Sequence, residues 1–234
     1  NPEVMTILYQ HCSYRMSGSD YLLKSEAVTF TESDFIIDSI TGIFKNSNIQ
    51  YFNEFADFTG IEAIPPFCFS GCTLLKEITL PESIREIKQN AFNSVGLDSL
   101  TIPMNVETVN QQAFESAKIT TFTVDNRNLK FCSREGNIYL GIRPETLYIL
   151  APGITEYAMP EETIAVFEDG AETWRYASKL TKITLNEKVQ GITGVWFRYG
   201  LSQLKEVAGP ERNDVKFYNG CIYRFFFIFF LIVF

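Results

Sequence analysis

Ile64-Pro-Pro-Phe-Cys-Phe69-Ser-Gly-Cys72-Thr-Leu-Leu75-Lys-Glu-Ile78-Thr-Leu80-Pro81 is followed by Ile87-Lys-Gln-Asn-Ala-Phe92-Asn-Ser-Val95-Gly-Leu97-Asp-Ser-Leu100-Thr-Ile102-Pro103. Val109-Asn-Gln-Gln-Ala-Phe114-Glu-Ser-Ala117-Lys-Ile119-Thr-Thr-Phe122-Thr-Val124-Asp125 then repeats the pattern a third time. Ile64, Ile87 and Val109 are spaced by 23 and 22 residues, as are Phe69, Phe92 and Phe114. Ile78, Leu100 and Phe122 are spaced by 22 twice. Several apolar columns holding one period are the mark of a stacked-repeat solenoid.

Each column has a physical task. In L-x-x-I-x-L the last three residues point in, out and in, which predicts a short strand with one buried face. Proline or asparagine then ends it, as at Leu80-Pro81, Ile102-Pro103 and Leu185-Asn186. Ile84 and Ile87, then Val106 and Val109, predict a second extended segment. The pairs Ala91-Phe92 and Ala113-Phe114 predict a ring delivered to the interior from a short helical turn. Cys72, Val95 and Ala117 share one small apolar column. A unit of this length cannot bury both faces alone, so stability must come from stacking neighbours.

Working outward, the composition agrees. Phenylalanine is abundant, with 21 copies against 2 Trp, as a repeated interior ring position requires. Net charge is −8, so the chain lacks the basic field that nucleic acid or an anionic lipid surface attracts. Five cysteines (Cys12, Cys68, Cys72, Cys132 and Cys221) show no paired metal or redox spacing and read as small buried hydrophobes. The chain starts at Asn1 rather than Met, which reads as a mature or trimmed form whose leader has been removed.

The pattern A-F-x-x-(C)-x-x-L-x-x-I-x-L-P-x-x-(V/I)-x-x-I resembles the BspA-like leucine-rich repeats of bacterial and protist surface proteins. Residues 61–124 match closely. Residues 154–208 match more loosely through Ile154, Tyr157, Met159-Pro160, Leu180, Ile183, Leu185, Leu204 and Val207, with Trp174 and Phe197 standing in for the ring. The resemblance implies an α/β repeat solenoid: a right-handed leucine-rich-repeat superhelix with short strands on its concave face, a small helical N-terminal cap and inserted β-hairpins. It divides the chain into a cap over 1–48, repeats over 49–124, a hairpin over 125–153, divergent repeats over 154–208, and a second hairpin or truncated apolar end over 209–234.

In the hairpin region, Phe131 to Tyr139 and Thr146 to Leu150 read as two strands projecting from the solenoid edge. The pattern recurs at Lys216-Phe217 and Gly220 to Tyr223, so Phe225–Phe234 can be the second strand of a second hairpin. That run has 10 apolar residues, short of the ~20 a spanning helix needs. It reads as a truncated or divergent end, an anchor remnant, or a segment buried by a partner.

At the amino terminus, residues 3–12 predict a helix, and 36–60 predict the passage into the first coil, with Ile40, Phe44, Ile49, Phe52 and Phe55 lining it and Phe58 reaching the next. In members of the family the chain resembles, the place after this helix often looks like a single calcium-binding loop ending in Glu-Ala. Here the twelve residues ending at Glu26 begin with Arg15, Ser17 and Ser19 and put Asp20 in place of the turn glycine, too few carboxylates for calcium. A helix-loop-helix cap with Leu22 inward is the other reading.

No catalytic constellation stands out. His11 is the only histidine, and its helical neighbour Cys12 points ~100° away. Glu161 and Glu162 diverge on extended backbone and read as solvated surface; Gly191 and Gly194 read as turns. No enzymatic activity, cofactor or metal is expected. Binding is expected along the outward strand positions Glu77, Thr79, Ser99, Thr101, Thr121, Thr123, Lys182 and Thr184, which stacking would set in one ladder ~5 Å apart. Threonine there also suits β-structure without any partner. The aromatic hairpin around Phe131, Tyr139 and Tyr148 is a second candidate. The resemblance implies an extracellular or cell-surface module that binds proteins in an adhesion-type role, such as host matrix or other cell-surface components. The alternative is a spacer within a larger surface protein.

Overall fold

The computed structural model describes residues 2–15, 21–23, 30–38, 41–167, 171–190, 201–210, 215–218 and 221–224. Helix α1 (Pro2–Cys12) leads into an antiparallel pair, β1 (Ser13–Arg15) and β2 (Tyr21–Leu23). After a 3-10 turn over Glu32–Phe35, β3 (Ile36–Asp38) pairs with β4 (Thr41–Gly42). Short strands follow at β5 (Tyr51–Phe52), β6 (Ala63–Ile64), β7 (Glu77–Ile78), β8 (Glu86–Ile87), β9 (Ser99–Ile102), β10 (Thr108–Val109) and β11 (Thr121–Val124). A meander, β12 (Phe131–Arg134), β13 (Asn137–Leu140) and β14 (Thr146–Ile149), interrupts them. Then come β15 (Glu156–Ala158), β16 (Ala165–Val166), helix α2 (Ala171–Arg175), β17 (Lys182–Thr184), β18 (Glu206–Ala208), and the antiparallel pair β19 (Val215–Tyr218) and β20 (Cys221–Arg224).

The coils stack through parallel ladders, making a β-solenoid of about six turns. One column holds β5–β7, β9–β11 and β15–β17–β18; the other holds β6–β8–β10 and β14–β16. Many rungs start alike, with one carbonyl taking two N–H groups of the next coil: Gln50 from Lys76 and Glu77, Glu62 from Arg85 and Glu86, Thr181 from Lys205 and Glu206. This register pairs residues one period apart, so the apolar columns read from the sequence become columns in space.

The interior is a file of rings. Phe44, Phe69, Phe92 and Phe114 stack nearly parallel at 5.3, 5.3 and 5.8 Å between centroids. Two residues after each ring the backbone turns left-handed, at Asn46, Gly71, Ser94 and Ser116. The N–H groups of Asn46, Gly71 and Ser94 each donate to the next coil at 2.8 Å. The left-handed residue stops a helix from continuing past the ring, so the rings arrive on single turns; Phe114 ends a 3-10 turn over Gln111–Phe114, the short helical turn expected there. The described residues are mostly short strand with little helix, less helical than an α/β solenoid leads one to expect.

The interior is divided in two. One core runs from Val4 and Leu8 of α1 through the ring file to Phe131, Ile138 and Ile149. The other holds Tyr139, Leu147, Tyr157, Trp174, Ile183 and Val207. Alternate residues of β13 and β14 point to opposite faces, and both faces are buried. The meander is therefore a wall between two cores, with three strands rather than the two expected, and it does not project. Its first turn explains the extra strand: Glu135 and Gly136 both have positive φ, the conformation of a tight two-residue hairpin.

Near the amino terminus, α1 is the expected helix, but Tyr21–Leu23 is a strand where a helix-loop-helix would put its second helix. The remainder of the calcium-like loop, Ile40, Gly191, Gly194, Phe197 and Phe225–Phe234 lie outside the described residues, as do the side chains of His11, Cys12 and Leu22.

Candidate functional site

The outward positions of the first strand column are presented by simple alternation. In β9 and β11, Leu100, Ile102, Phe122 and Val124 go in, while Ser99, Thr101, Thr121 and Thr123 stay exposed. The parallel register sets Ser99 beside Thr121 and Thr101 beside Thr123. Strands in such a ladder lie ~4.8 Å apart, and same-face residues along one strand ~6.6 Å apart. The result is a small lattice of hydroxyls and methyls on a backbone whose other side faces the ring-filled core, with Phe122 against Phe114 at 4.8 Å between centroids.

Glu77 and Thr79 stand one coil earlier, both exposed, with Thr79 just past the end of β7. They are organised by Asn53, whose Nδ2 donates to Glu77 Oε1 at 2.9 Å and whose Oδ1 accepts from Thr79 Oγ1 at 3.0 Å. Tyr51 sits beside Glu77 in register. Asn53 and Tyr51 escaped the sequence reading because the step from Phe52 to Ile78 is 26 residues, longer than the regular period.

Lys182 and Thr184 are on β17 and half-buried. Lys182 lies in register between Glu156 and Glu206. Its Nζ meets Glu206 Oε1 at 2.8 Å, and that carboxylate's hydrogen bond and charge push the lysine pKa up. Lys182 is thus a rung of a charge ladder rather than an isolated cation.

The eight positions do not form one ladder. β7 and β9 belong to separate sheets. Beyond β11, the hairpin β12–β13 takes the place of the next strand: Phe122 N–H donates to Gly136 O at 2.8 Å, and Val124 N–H to Ser133 Oγ at 3.1 Å. Lys182 and Thr184 therefore stand on the far side of the meander from the other six. An insertion that pairs with the strand it follows breaks the ladder.

The aromatic hairpin is core rather than surface. Phe131 and Tyr139 are buried, and Phe131 stacks on Tyr148 at 5.5 Å. Tyr148 Oη donates to Val109 O at 2.7 Å, closing the ring onto the preceding coil. Tyr139 and Tyr157 share a buried hydroxyl–hydroxyl contact of 3.0 Å between the two oxygens.

The remaining chemistry-bearing groups are dispersed. Glu161 pairs with Lys188 at 3.1 Å and Glu162 with Arg134 at 3.6 Å, so the two glutamates face different cations. Cys68 and Cys72 are free and buried, and burial pushes both thiols up, holding them protonated. Cys72 Sγ donates to Phe44 O at 3.0 Å, tying one coil to the previous ring. Among the described residues no three His, Cys, Asp or Glu side chains cluster to hold a metal, and no helix is long and apolar enough to cross a membrane.

Against known proteins, no curated protein matches the chain. Among solved structures it is similar to a leucine rich cell surface protein of Faecalibacterium prausnitzii A2-165, at 19% identity and a TM-score of 0.47 over 64% of this chain and 39% of that one. It is similar to the pneumococcal vaccine antigen PcpA at 19% identity and a TM-score of 0.48, over 69% of this chain and 39% of that one. A leucine-rich repeat protein from Eubacterium ventriosum aligns at 13% identity and a TM-score of 0.35, over 64% of this chain and 58% of that one. The chain thus spans less than two thirds of the length of each. Residues 41–134 match the BspA type leucine rich repeat region in six copies. That segment, which holds the ring file and the strands from β4 to β12, carries the BspA-type leucine-rich repeat pattern.

Proposed function

We propose that this chain is an interaction module displayed at the cell surface or outside the cell, binding other proteins through the outward side chains of its parallel strands. The observation that carries this reading is the exposed set Ser99, Thr101, Thr121 and Thr123, held in register on strands anchored by a ring-filled core. A recognition surface of this kind loses little side-chain entropy on binding, because threonine has a single stiff rotor. Leucine-rich repeats are generally non-enzymatic and generally mediate protein interactions. In this reading the strands form the concave face of a right-handed superhelix, α1 caps its first coil, and Glu77, Thr79, Lys182 and Thr184 extend the contact surface at either side. The divisions 1–48, 49–124, 125–153, 154–208 and 209–234 follow as cap, repeats, inserted wall, divergent repeats, and a second hairpin or truncated apolar end. Host matrix proteins and the surfaces of other cells are the partners.

The test is capture of the whole chain by immobilised matrix proteins and by intact cells, alongside Thr101→Arg and Thr121→Arg variants. Capture that both variants abolish without a change in melting supports the reading. Capture by none of these surfaces would sink it and leave a spacer within a larger surface protein.

A further inference from the structure

Where the strand column begins, the first turn of α1 and the loop before β5 enclose an open depression of about 430 Å³, lined by Glu3, Asn48, Gln50, Tyr51 and Glu54. Asn48 N–H donates to Glu3 Oε1 at 2.7 Å, which fixes the helix against the loop and sets the width of the depression. Phe52 is fully buried in the core, so strand alternation forces the neighbouring Tyr51 outward, where it is 49% exposed. On the same face Asn53 is held by Glu77 and Thr79.

The lining has an unusual chemistry for a pocket. Sites for apolar small molecules are lined mainly by aliphatic and aromatic groups; here there is no aliphatic side chain. One ring stands among two amides and two carboxylates. The ring supplies a flat apolar face with positively polarised C–H groups as its natural partners. The amides and carboxylates supply several acceptors and donors suited to a ligand rich in hydroxyl groups. Two carboxylates disfavour an anionic ligand such as a phosphate or a uronic acid. A ligand with C–H faces, many hydroxyls and no negative charge is a neutral sugar.

We propose that this depression binds a neutral oligosaccharide, with the Tyr51 ring packing on one sugar face and Asn48, Gln50 and Glu54 hydrogen-bonding its hydroxyls. The site is separate from the hydroxyl lattice of β9 and β11, and protein binding there stands or falls independently.

The test uses the whole chain titrated with chitotetraose, cellotetraose, maltotetraose and mannotetraose, with tetragalacturonate as the anionic control, followed by calorimetry and by chemical shifts. At least one neutral tetrasaccharide is expected to saturate with a Kd near or below about 1 mM. Tyr51→Ala is expected to weaken it at least about tenfold and Tyr51→Phe by no more than about twofold, while Thr101→Arg leaves it unchanged. The proposal is overturned if none of the four saturates by about 10 mM, if tetragalacturonate binds more tightly, or if Tyr51→Ala keeps full affinity. Loss of binding on adding EDTA would also overturn it, assigning the carboxylates to a cation instead.

Discussion

Asn128 and Asn186 make the same four hydrogen bonds in two different coils. The Nδ2 of Asn128 donates to Pro103 O and Val106 O at 3.0 and 2.9 Å, and its Oδ1 accepts from the N–H groups of Lys130 and Phe131, both at 2.8 Å. The Nδ2 of Asn186 donates to Pro160 O and Thr163 O at 2.5 and 2.7 Å, and its Oδ1 accepts from Lys188 and Val189 at 2.9 and 2.7 Å. In each case the donor end grips the first and fourth carbonyls of the turn one coil back, and the acceptor end shapes the asparagine's own turn. Each side chain thus joins two coils where strand pairing has ended.

Removing such a clamp takes a donor from two carbonyls and an acceptor from two N–H groups, although Pro103 O and Pro160 O still accept from Val106 N–H and Thr163 N–H at 3.3 and 3.0 Å. Asn128 is buried, so water cannot replace them cheaply, and Asn128→Ala is expected to cost about 2–4 kcal/mol in urea unfolding. Asn186 is half-buried, and Asn186→Ala is expected to cost about 1–2 kcal/mol. Aspartate at either position keeps the acceptor but turns a donor into a negative charge facing carbonyls, and should be no milder than alanine. Equal losses at the two sites would show that burial does not set the cost.

The ring file makes a second prediction. Phe92 touches a ring on each side, so Phe92→Ala opens a cavity bounded by Phe69 and Phe114 that neighbouring coils cannot collapse into without breaking their ladders. The expected loss is about 3–5 kcal/mol. Thr101→Ala, on the exposed face of β9, is expected to stay within about 0.5 kcal/mol. Denaturant unfolding of the two variants separates interior from surface in the same coil.

The ring file and both strand columns were legible because period and burial are the same information in a stacked repeat: a residue that recurs every coil faces the core in every coil. Phe44 was legible only as one of the residues lining the first coil, and Trp174 only as a stand-in for the ring, because their coils depart from the regular spacing. The meander was harder. Its residues alternate as in any hairpin, but both faces are buried, and nothing local distinguishes a sheet packed on one side from a wall packed on two. The third strand was hidden by Glu135, a residue that rarely adopts positive φ. The break in the hydroxyl ladder followed from the same omission, since it depends on which strand pairs with β11. Tyr51 and Asn53 were missed because only the register, and not the period, puts them beside Glu77.

The wall carries a pH-sensitive contact. Tyr139 and Tyr157 are buried with their hydroxyl oxygens 3.0 Å apart. Burial pushes the Tyr139 pKa up to about 12, above its usual value of 10.0, and holds Tyr157 well above that usual value too. The folded state therefore keeps a proton that the unfolded chain releases. Stability is fully present below pH 10 and is expected to fall as pH rises from there towards 12. Tyr139→Phe should flatten that decline while lowering stability at pH 7 by about 1–3 kcal/mol, because the Tyr157 hydroxyl loses its partner. Thermal melting between pH 7 and 11 reads both effects, and an unchanged alkaline slope in the variant would remove this pair as its source.

The last prediction concerns how the wall is docked. Gly136 has φ of +77°, and its carbonyl accepts from Phe122 N–H at 2.8 Å, so the hairpin tip lies directly against β11. A Cβ at Gly136 would come within 3.0 Å of Thr120 O and 3.2 Å of Thr121 Cα, both backbone atoms that cannot swing away. Gly141, at the other end of β13, has φ of +80° but a Cβ there would meet nothing within 4 Å. Gly141→Ala therefore bears only the left-handed backbone cost of about 1–2 kcal/mol. Gly136→Ala bears a similar backbone cost and must also push the hairpin off β11, so it is expected to lose about 1–3 kcal/mol more. Hydrogen exchange should then show the Phe122 amide less protected in Gly136→Ala and unaffected in Gly141→Ala. If the two variants lose the same stability and protect Phe122 equally, the contact between the tip and β11 contributes nothing, and the wall is held by its buried faces alone.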